Sequence, residues 1–203
     1  MKYFVVLCLS GALLMGACGN HQQPADHPKQ DSLSQTDSAK NLFFPVAEYL
    51  ESEILHVDSI PMALRKYTTV NGKTDSAFIQ LPEFNALSLQ FLPEELHNGS
   101  FEKNFTENTF ADKTTESITF NYSTEEKGLP LRRVDVQTIA GNSRQRVKSV
   151  YLEKHRVSGD SVIFERLYWR TGKSFQVSTS VTVKGKAPAE RQLKVVWNNG
   201  EDE

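Results

Sequence analysis

The chain has 203 residues, a formal net charge of −2, 38% hydrophobic residues and two cysteines. That length suits one ordinary domain with a tail. The charge is too mild for a nucleic-acid-binding face, and Arg132-Arg133 and Arg144, Arg146 and Lys148 fall at solvent-facing spacing in strand-like segments rather than forming a stripe.

Met1-Lys2 supplies one positive charge, and an apolar run of about twelve residues follows from Tyr3 to Leu14. This is signal-peptide length, well short of the ~20 residues that a membrane-spanning helix needs. Next come Met15-Gly16-Ala17-Cys18 and the polar Gly19-Asn20-His21-Gln22. Two small residues directly before a cysteine resemble the lipobox of bacterial lipoproteins, although Met15 stands where that motif usually has leucine. An ordinary secretory signal wants an A-x-A-like pattern, which Met15 breaks. The resemblance implies that residues 1–17 are removed and that Cys18 is acylated. Each buried CH₂ contributes about 0.8 kcal/mol, so two or three acyl chains hold a protein on a membrane permanently. Cys8 leaves with the signal peptide, so Cys18 is the mature chain's only cysteine and no intrachain disulfide forms.

Residues 18–41 are rich in Gln, Ser, Asp, His and Pro, with Leu33 almost the only large apolar residue. Such a segment cannot offset its chain entropy by burial, and is expected to be a disordered tether with a reach of roughly 25 Å.

A single domain is expected over 42–198, with an acidic tail at 199–203. Val46, Leu50, Ile54 and Val57 recur at helical spacing, which predicts a helix over 45–56 with Pro45 in its first turn. Residues 65–70 and 73–80 flank Asn71-Gly72, the preferred turn of a two-residue hairpin. A helical stretch is expected over 82–96, and Phe101, Phe105 and Phe110 continue as a short helix or an irregular packed segment. From about Glu116 the period becomes two, and the punctuation at Gly128, Gly141-Asn142, Gly159-Asp160, Gly172-Lys173 and Gly185 predicts an antiparallel meander. The expected fold is therefore α+β, with N-terminal helices packed on about six C-terminal strands and the hairpin added to them. A long meander also twists, so a sheet curled into a half-barrel is the second option.

No HExxH, GxSxG, P-loop or GxGxxG occurs, and the five histidines (His21, His27, His56, His97, His155) join no cysteine cluster. Glu94-Glu95 near His97 reads more simply as the solvated end of a helix than as a metal site. No catalytic, cofactor-binding or metal residue is assigned, and the expectation is a non-enzymatic protein without a cofactor. Tyr168 and Trp169 point to opposite faces of one strand, which leaves one of them available for binding. Asp-Ser-apolar occurs five times, at Ser32, Ser38, Ser59, Ser76 and Ser161, where composition predicts about half of one such triplet. The triplet resembles the O-glycosylation motif of Bacteroidota envelope proteins. Turn and cap preference of Asp and Ser is the alternative explanation.

The stretch Phe43-Phe44-Pro45-Val46, Tyr49, Leu50, Ile54, Val57-Asp58-Ser59-Ile60-Pro61 resembles the opening of a group of Bacteroidota lipoproteins, Chitinophagaceae-like, that also end in an antiparallel sheet with a closing tryptophan, as at Trp197. The group has no assigned activity, so the resemblance implies a compartment and no mechanism. It implies a lipid-anchored envelope protein, expected at the outer membrane, and the lack of an acidic run after Cys18 favours its facing the periplasm. Two roles follow as expectations: an accessory or binding subunit for an envelope protein partner, or a carrier of a lipid or other hydrophobic ligand held in a curled sheet. Palmitate fed to growing cells is expected to label the protein, and a Cys18→Ala variant that still labels overturns the anchor. Intact-mass analysis of native protein is expected to show hexose-type increments, whereas a bare lipoprotein mass overturns glycosylation.

Overall fold

The structure is a computed structural model that describes residues 43–139 and 146–198. The signal peptide, Cys18, the tether with Ser32 and Ser38, and the acidic tail expected from sequence lie outside the described residues.

Helix α1 spans Val46–Ser59 and buries Val46, Ala47, Leu50, Ile54 and Val57. It runs three residues beyond the expected end and stops at Ile60, whose backbone is extended (φ −114°, ψ 131°), as the residue before Pro61 must tend to be. Strands β1 (Leu64–Val70) and β2 (Lys73–Ile79) form the expected hairpin. Asn71 and Gly72 both take positive φ, 48° and 76°, the type I′ signature whose twist matches the strands.

The helix expected over 82–96 is interrupted. Helix α2 covers Leu81–Ser88, and two single 3₁₀ turns follow at Leu89–Phe91 and Glu94–Leu96. Pro93 is the cause, because it drives Leu92 out of the helical region to φ −112°, ψ 61°. Helix α3 is short, Ser100–Asn104.

Seven further strands complete the sheet: β3 (Thr106–Asp112), β4 (Ser117–Ser123), β5 (Leu131–Ile139), β6 (Arg146–Ser158), β7 (Ser161–Arg170), β8 (Ser174–Val183) and β9 (Ala189–Val196). The expected six are thus seven. The unexpected one is β3, where Phe110 stands in an edge strand 62% exposed and not in a helix or an irregular segment. The sheet is wholly antiparallel with order β2-β1-β9-β8-β7-β6-β5-β4-β3, so the hairpin docks through β1 onto β9. It is not closed or strongly curled, which excludes the half-barrel.

The helices cover one face. Trp169 is fully buried there, with ring centroids 5.2 Å from Phe91, 5.5 Å from Phe175 and 5.3 Å from Trp197. Phe84 of α2 reaches the same cluster, 5.6 Å from Trp197 and 5.8 Å from Phe175. Glu53 of α1 accepts from Trp169 Nε1 (3.2 Å) and from the backbone N–H of Gly172 (2.9 Å). Phe84→Ala is expected to cost about 3–5 kcal/mol in chemical denaturation, through lost burial and the void left among these rings. Phe78→Ala, at a side chain 71% exposed, is expected to stay within about 0.5 kcal/mol.

Candidate functional site

Because side chains alternate across a strand, each core residue of the sheet leaves its neighbour on the opposite, open face. Two adjacent rows cross that face. In the first, Asp135, Tyr151, Tyr168, Gln176, Lys194 and Tyr67 stand directly opposite one another on successive strands from β5 to β1. In the second, Arg133, Glu153, Arg166, Ser178, Gln192 and Thr69 do the same. Every strand from β5 onward thus contributes two polar or tyrosine residues spaced i, i+2. The two rows contain no aliphatic side chain.

The rows are ordered at one end by charge. Arg133 grips Asp135 with two nitrogens, Nε at 2.9 Å and Nη2 at 2.7 Å, and Asn121 Nδ2 donates to the same carboxylate at 2.5 Å. The hydrogen bond to Asp135 raises the affinity of the Arg133 guanidinium for its proton. The Tyr151 hydroxyl donates to Glu153 at 3.0 Å, and burial together with that carboxylate pushes its phenol up to about 12. Toward the other end the groups are freer. Arg166 lies over the Phe164 ring at 4.7 Å, and Arg65 lies over Tyr67 at 5.3 Å. Between these ends is a shallow depression of about 560 Å³ bordered by Thr69, Phe164, Arg166, Ser178, Ser180 and Gln192. It offers hydroxyls, amides, guanidinium groups and the Glu190 carboxylate on a rigid base, which suits recognition by hydrogen bonding.

Tyr168 is 38% exposed on this face while Trp169 is fully buried on the other, the split expected from sequence. The region between sheet and helices around Trp169 is filled by the aromatic cluster.

Ionisable groups inside the helix–sheet layer hold the layers together. Glu95 accepts from the backbone N–H of Leu131 at 2.9 Å, and Lys154 donates to the carbonyl of Gln90. Burial lowers the Lys154 pKa. Glu95 therefore turns inward while Glu94 is exposed, and both border one shallow depression with His97. Among the described residues no three His, Cys, Asp or Glu side chains group as metal ligands would. No described helix is long and apolar enough to cross a membrane.

Of the triplet serines, Ser59 and Ser76 are exposed and Ser161 is half-buried in the β6–β7 hairpin. Ser59 donates to the carbonyl of His56 at 2.8 Å, and Ser76 accepts from Arg65 at 3.3 Å. They lie far apart in the fold order and form no common site. The open face was not singled out from sequence. Its signal is the i, i+2 pairing of polar residues in Arg133/Asp135, Tyr151/Glu153, Arg166/Tyr168, Gln176/Ser178 and Gln192/Lys194. Only the strand register shows that these pairs align.

No family model matches this chain, and no curated protein matches it.

Proposed function

We propose that the protein is an envelope lipoprotein, anchored through Cys18 and facing the periplasm from the outer membrane, that acts without catalysis as an accessory subunit. Its open sheet face receives a protein partner. The observation that carries this reading is the pair of aligned rows, in which tyrosine, arginine and amide side chains stand on a rigid base. Tyrosine and arginine are the residue types that contribute most at protein interfaces, and they lose little entropy when held by a sheet.

Size also supports it. Nine strands have eight spacings of about 4.8 Å, so the sheet is roughly 38 Å wide. Strands of seven residues or more extend about 23 Å, which makes a face on the order of 800–900 Å². That matches the ~800 Å² per partner of a standard specific interface. O-glycans are proposed at Ser32, Ser38, Ser59, Ser76 and Ser161, and of these Ser76 stands opposite Tyr67 at the β2 edge of this face.

A photo-crosslinking residue at Tyr168 of the full chain, activated in intact cells of its source, is expected to give one discrete protein adduct. Arg166→Glu with Lys194→Glu, both at exposed positions and with folding verified by circular dichroism, is expected to abolish it. An adduct that survives the charge reversals, or that forms equally from Lys186 in the β8–β9 turn, overturns the reading.

A further inference from the structure

A second depression of about 560 Å³ lies in the helical layer, between α1 and α2. One wall is a single stripe of α1, with Glu51, Ile54, Leu55 and Asp58 at i, i+3, i+4 and i+7. The other wall is Asn85, Ala86 and Leu89 of α2 and the turn after it, continued by Leu92. Leu55 and Leu89 flank it with 66% and 64% of their surface exposed, far more than a leucine needs to leave in water. Its volume is that of a small-molecule site, not of a packing defect.

The polar end of this cleft is short of donors. Asn85 Nδ2 donates to Asp58 Oδ2 at 3.1 Å. Asp58 Oδ1 and Asn85 Oδ1 are both shielded from solvent, and neither has a donor among the described residues. Such orphan acceptors are uncommon in folded proteins and call for a partner that the chain itself does not supply. The lining contains the carboxylates of Glu51 and Asp58 and no lysine, arginine or histidine. An incoming anion is repelled there, and a hydroxyl brings only one proton for two acceptors.

We infer that this cleft binds an amphiphilic amine: a protonated primary amine, carrying no adjacent phosphate, at the end of a hydrocarbon chain. The ammonium has three N–H donors and reaches the Asp58–Asn85 end, while the hydrocarbon lies along Ile54, Leu55, Leu89 and Leu92. The site is on the helical layer and not on the open sheet face, so its failure would leave the docking reading intact.

Calorimetric titration of the full chain with octylamine, octan-1-ol, octanoate and ethylamine, each below its aggregation concentration, tests this. Octylamine is expected to bind saturably at one site, octan-1-ol and ethylamine at least tenfold more weakly, and octanoate not at all. Asp58→Asn is expected to weaken octylamine at least tenfold and to leave octan-1-ol unchanged. Leu89→Lys, at an exposed position that does not endanger folding, is expected to abolish octylamine binding by placing a cation at the mouth. Equal affinity for octylamine and octan-1-ol, no saturable binding, or octylamine binding untouched by Leu89→Lys each overturns the inference.

Discussion

The structure depends on the burial of Trp169. This side chain stands on β7 near the middle of a nine-stranded sheet, and three separate segments are fastened to it. Its indole N–H holds Glu53 and through it α1, its ring faces Phe91 from the turn after α2, and its cross-strand neighbour Phe175 meets Phe84 from α2. No cysteine lies among the described residues, so no disulfide constrains them and apolar burial must supply the stability. Rings bury the most surface per residue, and edge-on packing such as Phe84 against Trp197 adds to it.

Concentrating burial on one face determines what the other becomes. The helices cover only one side of the sheet, so the opposite side chains meet water, and the two rows there are polar or tyrosine. Among the rows, Arg133 and Glu153 are neighbours across β5 and β6, and Glu153 and Arg166 across β6 and β7. Alternating charge at cross-strand positions favours this register over a slip, which would bring like charges together. Exposed pairs of this kind contribute little to stability. Their effect is to specify the alignment of strands. The sheet's two free edges carry a similar safeguard, with Lys73 and Asp75 on β2 and Glu107 and Asp112 on β3 discouraging edge-to-edge association.

What the sequence made legible were the features whose physics is local. The Asn71-Gly72 turn, the stripe of α1 and the alternation in β4, β5 and β8 need only neighbours a few residues away. Pro93 lies inside the apolar stretch that predicts one long helix over 82–96, and the conformation it forces on Leu92 ends the helical pattern. Strand β3 was missed because an edge strand exposed on both sides has no apolar alternation, and its Phe110 mimicked a core residue. The candidate face needed register, which is a property of paired strands. The α1–α2 cleft needed tertiary placement, since Asp58 and Asn85 are 27 positions apart.

The same geometry separates the point where the chain enters the domain from the face proposed to bind. Phe43, the first described residue, packs 4.9 Å from Tyr122 and 5.5 Å from Phe101, and the backbone N–H of Phe44 donates to the Tyr122 hydroxyl at 2.9 Å. Burial raises the Tyr122 pKa, so the phenol stays protonated and remains a neutral acceptor there. Tyr122 lies fully buried on β4, on the helix-covered side, beside the β3 edge. A pull delivered through the N-terminal segment therefore falls on the covered layer at one end of the sheet. Tyr168 on β7 stands three strand pairings away, across β5 and β6, so a load entering at Phe43 meets the covered layer before it reaches the rows of the open face.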